Sequence, residues 1–283
     1  NRKGDNVIAV KVDNSDQPNS RWYSGCGIYR HVWLTKAQKM AYIPQWGQYV
    51  STTPQGDVKV KVDYLAHGSK MKLSIRNTVY DADGKVVAKS LGNKVQQLKV
   101  KNPQLWDIAK GYLYTVKSEL VVNGKVMDTA TTTTGFREVK FDAQKGFFLN
   151  GRNIKINGVC EHHDFGCLGA AVNEDAMHRK LTILRDMGVN AIRSSHNPPA
   201  PELLNMCDSM GILVMDESFD MWRRKKSNGD YARFFDEWHK RDLSDLIKRD
   251  RNHPSIIMWS IGNEVLEQWS DAAADTLSLE QAN

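Results

Sequence analysis

Ser255-Ile256-Ile257-Met258-Trp259-Ser260-Ile261-Gly262-Asn263-Glu264 is an apolar, β-branched run that ends in an amide and a carboxylic acid. A strand buried on both faces reads as such a continuous run, and in a barrel of parallel strands its C-terminal end opens into the active site. Asn263 and Glu264 also suit the first turn of a following helix. The dipeptide therefore carries two readings, a helix cap and a pair placed for acid/base chemistry.

Outward from this run, the texture after Phe136-Arg137 is strand then helix, repeatedly. Strands are expected at Ile154 to Val159, Asn190 to Ser194, Ile212 to Asp216 and Ile256 to Ile261, with helices at Asn173 to Met187, Pro201 to Met210 and Phe234 to Lys248. Such alternation predicts a parallel sheet with crossover helices, most economically a (β/α)8 barrel. Only four βα units are read, so residues 139–283 are expected to hold the first half of a barrel and to stop within or soon after a fourth helix.

Residues 40–138 show a different period. Short alternating strands recur at Val58 to Leu65, Met71 to Tyr80, Gln96 to Val100, Tyr112 to Val122 and Val126 to Gly135, with hairpin signals at Asp83-Gly84 and Asn123-Gly124. About a hundred residues of this pattern predict an immunoglobulin-like β-sandwich, with no chemistry of its own. Ahead of it, Asp5 to Val12 and Ile28 to Leu34 also alternate, separated by the turn-rich stretch Asp13 to Arg21. Two or three strands bury no core alone, so residues 1–39 read as the tail of a larger β-domain. The opening on Asn1 suggests a mature or excised piece.

Composition narrows the function classes. Of 283 residues, 41% are hydrophobic and 25% charged, and no stretch approaches the ~18 apolar residues of a membrane helix, so a soluble globular protein is expected. The net charge of +6 is carried by residues 1–138, while residues 139–283 are acidic overall. A nucleic-acid reader concentrates positive charge around its site, and here the candidate chemistry lies in the acidic part, which excludes nucleic acid as partner. Arg223-Arg224-Lys225-Lys226 reads as a solvated loop. Cys26, Cys160, Cys167 and Cys207 show no paired spacing and are expected to be free thiols.

Polar groups fall at all four strand ends: Glu161-His162-His163-Asp164, Arg193-Ser194-Ser195-His196-Asn197, Asp216-Glu217-Ser218-Phe219-Asp220 and Asn263-Glu264. Each has a structural reading, the histidines as satisfied loop residues and Asp216 and Glu217 as loop anchors. Arg193 is expected to pair with one of these carboxylates in the barrel mouth. His162, His163, Asp164, His196 and Asp216 could also ligate zinc, although no HExxH or paired-cysteine motif is present.

The longer string Arg249 to Glu264, RDRNHPSIIMWSIGNE, resembles the strand 4 signature of family 2 glycoside hydrolases at sixteen successive positions. GVCEHHDFG, NAIRSSHNP, VMDESFDMW and QPNSRWYSGCGIYRHVWL resemble further signatures of that family, and the resemblance covers essentially the whole chain. It implies that residues 1–39 are the closing strands of a jelly-roll sugar-binding domain. It also implies a retaining exo-β-glycosidase. Glu264 would be the general acid/base, Asn263 would bind the sugar 2-hydroxyl, His162 and His196 would bind ring hydroxyls, and Arg193 and Asp164 would orient the site. Glu264 must be protonated to serve the leaving oxygen, a state that burial and a second carboxylate favour. The nucleophile is expected on strand 7, outside these residues.

The ESFDMW wording is closest to bacterial β-galactosidases of the family, with β-glucuronidase or β-mannosidase as alternatives. Where the best-known β-galactosidases place magnesium ligands, this chain has Asp220, Met221 and Trp222, so no metal or cofactor is implied, and Trp222 could equally offer an aromatic face to a sugar ring or pack as a loop tryptophan. A non-catalytic carbohydrate-binding module is the alternative from another class. The implied partner is a β-galactoside, with no membrane partner. A half barrel leaves two sheet edges open, so the 283 residues alone are expected to be inert and to aggregate or pair as a homo-oligomer. Export to a bacterial periplasm fits glycan scavenging, and the compartment is left open.

Overall fold

The computed structural model describes residues 4–23, 25–68 and 71–269. Nine strands come first: β1 (Ala41–Tyr42), β2 (Gln48–Thr52), β3 (Asp57–Val62), β4 (Leu65–Ala66), β5 (Leu73–Tyr80), β6 (Val86–Gly92), β7 (Val95–Lys99), β8 (Tyr114–Val122) and β9 (Lys125–Thr134). They form antiparallel sheets in the orders β2-β3-β7 and β6-β5-β8-β9, with β1 paired to β4. Alternation explains the layers. In β3 the residues Val58, Val60 and Val62 are buried and Lys59 and Lys61 are exposed, and in β8 the buried set includes Val116, Leu120 and Val122. These faces meet in one core with Ile75, Val79 and Phe136. Asn123 and Gly124 both have positive φ, the geometry of a two-residue hairpin turn joining β8 to β9.

The second unit begins with an antiparallel hairpin that the sequence reading did not contain: β10 (Val139–Asp142), β11 (Gly146–Leu149) and β12 (Arg152–Asn153). Phe147 and Leu149 pack with Trp106, Ala191 and Leu213 at the N-terminal ends of the barrel strands. The hairpin thus floors the barrel at the end opposite the candidate site residues.

Four parallel strands follow, β13 (Gly158–Glu161), β14 (Ala191–Ser194), β15 (Leu213–Glu217) and β16 (Ile256–Ser260), paired in that order. They alternate with α1 (Glu174–Asp186), α2 (Pro201–Met210) and α3 (Phe235–Asp250). The side chain of Asn173 caps α1 by accepting from the Ala176 amide at 2.9 Å, and Pro201 opens α2. Gly211 ends α2 in a left-handed conformation, where an added Cβ would meet the Asp107 carbonyl oxygen at 2.5 Å. Leu181, Ile192, Leu204 and Val214 bury the helix-to-sheet contact. Each such side chain contributes ~1.5–3 kcal/mol, against ~1 kcal/mol for a cap, so packing decides where the helices lie. The fourth helix expected after β16 falls outside the described residues.

Arg249 to Pro254, the first part of the string that pointed to a sugar enzyme, locks the two units together. Asn252 Oδ1 accepts from the Val50 amide at 2.9 Å and Asn252 Nδ2 donates to the Gln48 carbonyl at 3.0 Å. Arg251 donates to the Trp46 carbonyl and lies over the Tyr49 ring, and the Trp106 indole donates to the Asp208 carbonyl at 2.7 Å. Asp208 in turn holds His253 and the Ser255 amide.

The two strands expected at Asp5 to Val12 and Ile28 to Leu34 do not form. Alternation makes a strand only where a ladder partner exists, and among the described residues no sheet borders this segment. Val7 and Ile8 are accordingly exposed. The segment instead reaches the mouth of the barrel, where Arg21 meets Asp220, Arg30 donates to the carbonyls of Pro198 and Pro199, and His31 pairs with Glu202.

Candidate active site

The parallel register sets Glu161 opposite Ser194 and Glu217 opposite Ser260, so the polar ends of the four strands share one rim. At its centre is Glu217, which has no solvent exposure. Arg193 grips it in a forked pair: Nε donates to Oε2 at 2.9 Å, and Nη2 lies 2.9 Å from Oε1 and 2.7 Å from Oε2. His196 Nδ1 is 2.7 Å from Oε1, Ser260 donates to Oε2 at 2.6 Å, and the Glu217 amide donates to Ser194 Oγ. Burial works most strongly on the Arg193 charge and against it, but the hydrogen bonds and charges of Glu217 and Cys160 together outweigh it and hold the guanidinium above its ordinary pKa.

Arg193 Nη2 also donates to Asn263 Oδ1 at 2.8 Å, and Asn263 Nδ2 donates to Asp220 Oδ1 at 2.8 Å. Asp220 takes further donors from Arg21 Nη2 at 2.7 Å and Lys226 Nζ at 3.0 Å. Burial pushes the Asp220 carboxyl up, yet these hydrogen bonds from Arg21, Asn263 and Lys226 hold it below the usual carboxylate range. Asn263 is thus buried and fixed, and Glu264 follows with φ of +43°, a conformation uncommon for a non-glycine residue.

Glu264 itself projects into the open. Its side chain is 60% exposed, with Arg21 Nη1 at 3.7 Å from Oε2. The sequence reading expected it buried. The four strands present line one side of the rim only, so nothing among the described residues covers its other side.

The histidines divide. His162 and His196 meet edge to face at 5.4 Å, and Trp22 stacks on His162 at 5.3 Å while presenting its edge to His196. His163 turns aside to stack on Tyr29, and burial together with the charge of Arg30 lowers its pKa. The Asp164 backbone carbonyl accepts from Lys180 Nζ at 3.2 Å, and the Asp164 charge acts on His163. Lys180 also draws Glu161 toward α1 at 2.6 Å. Asp216 points to the opposite face of β15 from Glu217, where it lies buried beside Asp250. Among the described residues no three His, Cys, Asp or Glu side chains gather as a metal site.

The structure corrects the sugar-facing reading of Trp222 in favour of the packed one. Trp222 is buried among Phe219, Phe235 and Val265, with its indole donating to the Ile261 carbonyl at 2.8 Å, so its ring supports the loop. Trp22 is the aromatic that reaches the site. It also borders a cleft of about 400 Å³ that runs from His196, Phe219 and Asp220 along α3 to Leu246 and Arg249, and Asn263 and Glu264 are not among its walls. Lys226 is a second correction: expected in solvent, its side chain is 7% exposed. Arg21 and Trp22 lie inside the string Gln17 to Leu34, whose likeness to the family's signature was the available signal for both.

Comparison with known proteins accords with this geometry. The model described as "Glycosyl hydrolases family 2, TIM barrel domain" matches residues 139–280, and "Glycosyl hydrolases family 2" matches residues 41–137. A relative named β-galactosidase BoGH2A, from Bacteroides ovatus, is 58% identical over 98% of this chain and 34% of its own length. A β-glucuronidase of Felis catus is 32% identical over 91% of this chain and 41% of its own length. The crystal structure of a β-glycosidase from Bacteroides vulgatus superposes with a TM-score of 0.85 at 39% identity, over 90% of this chain and 34% of that one. The chain therefore spans about a third of the Bacteroides ovatus relative it matches. With both family models covering it nearly from residue 41 to its end, the chain belongs to glycosyl hydrolase family 2.

Proposed function

We propose that this chain carries the acid/base half of a retaining exo-β-glycosidase that removes terminal β-D-galactosides. The observation that carries the reading is the contrast between Asn263, held by Arg193 and Asp220, and its neighbour Glu264, the carboxylate at the rim left open to a ligand. In the first step Glu264 protonates the departing oxygen, and in the second it takes a proton from the attacking water.

Double displacement also needs a carboxylate ~5 Å away to attack the anomeric carbon. Glu217 is unsuited, being buried and saturated by Arg193, His196 and Ser260, and Asp220 is engaged by Arg21, Lys226 and Asn263. The family resemblance implies a nucleophile on a strand 7 outside these residues, so the 283 residues alone are expected to be inert. Asn263 keeps one amide proton for the sugar 2-hydroxyl, and His162, His196 and Trp22 form the wall for ring hydroxyls and the ring face. The division at residues 39 and 138 into jelly-roll tail, sandwich and half barrel belongs to the same proposal.

Galactoside is favoured by the β-galactosidase name of the 58% identical relative, and the β-glucuronidase name of a 32% identical one supports glucuronide as the second reading. A panel of nitrophenyl β-glycosides, offered to the full-length gene product, separates them. Highest kcat/KM on the galactoside supports the proposal, and highest kcat/KM on the glucuronide replaces it with the second reading.

A further inference from the structure

Lys226 lies in the loop between β15 and α3, in a run of four basic residues. Its three neighbours turn outward or to local partners: Arg223 pairs with exposed Asp236, Arg224 reaches the Leu266 carbonyl, and Lys225 contacts Asn228. Lys226 alone goes inward. Its ammonium has three protons and meets three acceptors, the Asn263 carbonyl at 2.6 Å, the Asp220 carbonyl at 2.7 Å and Asp220 Oδ1 at 3.0 Å. One buried cation thus ties the end of β15 to the end of β16 directly beneath the Asn263-Glu264 peptide.

A surface tether would be weak, but a saturated ammonium out of solvent is costly to leave and hard to displace. The tether also sits at the bond that needs holding. The carbonyl gripped by Lys226 belongs to the peptide unit that leads into Glu264, whose left-handed φ persists only if its surroundings impose it. Asn263 is gripped at its side chain by Arg193 and Asp220, and Lys226 supplies the backbone grip that those two do not.

We propose that Lys226 is a positioning residue, which sets the orientation of the Asn263-Glu264 peptide and through it the aim of the Glu264 carboxyl. The inference rests on the reading of Glu264 as the general acid/base. Lys226 touches no substrate, so its effect is on proton delivery and is felt most where the leaving group needs the proton.

The test compares Lys226→Met, Lys226→Arg and Glu264→Gln with the unaltered full-length gene product. Each is assayed on an activated nitrophenyl β-galactoside and on an alkyl β-galactoside, with thermal unfolding measured alongside. Lys226→Met is expected to lower kcat on the alkyl substrate by about tenfold to a hundredfold, the scale on which misplacement of a reacting group is felt. The loss on the activated substrate is smaller, KM is little changed, and Lys226→Arg recovers part of the loss. Equal losses on both substrates, or none on either, while Glu264→Gln still discriminates between them, overturn the role of Lys226 and leave the acid/base reading standing. A lowered Tm with equal losses that Lys226→Arg does not relieve assigns Lys226 to stability and likewise overturns it. If Glu264→Gln itself fails to discriminate, the acid/base reading falls and takes this inference with it.

Discussion

Arg193 and Glu217 form a forked ion pair across adjacent strands, with contacts of 2.7 to 2.9 Å and a carboxylate that has no exposure. The pair joins β14 to β15, and through Asn263 the same guanidinium reaches the end of β16. Glu217→Ala leaves the Arg193 charge in a site built to neutralise it, along with the ring of His196. Removing one partner of such a pair costs ~3–5 kcal/mol. Thermal unfolding of the full-length gene product should show the loss, and turnover should fall with it because Asn263 loses its anchor. An unaltered Tm would show that the pair does not hold the rim.

Asp216 gives a pH dependence of definite sign. Burial, reinforced by the adjacent Asp250 carboxylate, pushes its pKa up to about 8 from 3.8. Between those values the folded state keeps a proton that the unfolded state releases. The contribution is full below pH 3.8 and is lost as pH rises through 8, with a slope of up to about 1.4 kcal/mol per pH unit for one proton. Asp208 raises the pKa of His253 despite burial, so the stability it adds is also lost as pH rises, from the ordinary histidine value of 6.5 upward. Unfolding midpoints should fall from pH 5 to pH 8, and Asp216→Asn should flatten that fall. A midpoint that rises over this range contradicts the assignment.

Asn252 is placed to separate stability from chemistry. It lies before β16, at the floor end of the barrel, and bonds the Val50 amide and the Gln48 carbonyl of the sandwich. Asn252→Ala should cost on the order of 1 kcal/mol per hydrogen bond. The expected result is a lower Tm with unchanged kcat on nitrophenyl galactoside, and a lowered kcat at unchanged Tm would place Asn252 in the wrong role.

The two tryptophans should respond oppositely. Trp22→Ala removes the ring that stacks on His162 and borders the cleft, so KM should rise with little change in Tm. Trp222→Ala removes a buried ring and should cost ~3–5 kcal/mol of stability. Equal effects on KM and Tm from both would contradict their assignment to site and core.

Much of this architecture was legible because local chemistry and tertiary packing agree in it. Pro201 and Gly211 bracket α2 at the bounds read from sequence, Asn173 caps α1, and Asn123-Gly124 makes the expected turn. The four strand ends that pointed to a substrate do share one rim. What was not legible depends on partners distant in sequence. Val10, Lys11 and Val12 alternate like strand residues but have no ladder to join, and both valines are exposed. Trp222 and Trp22 are equivalent as residue types, and only the fold decides that one is core and the other borders the cleft. Lys226 could not be told from its basic neighbours until the carbonyl of Asn263, 37 residues away, was seen to meet it. The β10 to β12 hairpin was missed because its strands are two to four residues long and lack sustained alternation.

The central claim is that Glu264 moves the proton. Its most direct test is the leaving-group dependence of Glu264→Gln in the full-length gene product. General acid catalysis contributes ~10²-fold or more, so kcat on an alkyl β-galactoside should fall by at least that factor, while an activated nitrophenyl galactoside should lose much less. An equal loss on both substrates would contradict the account.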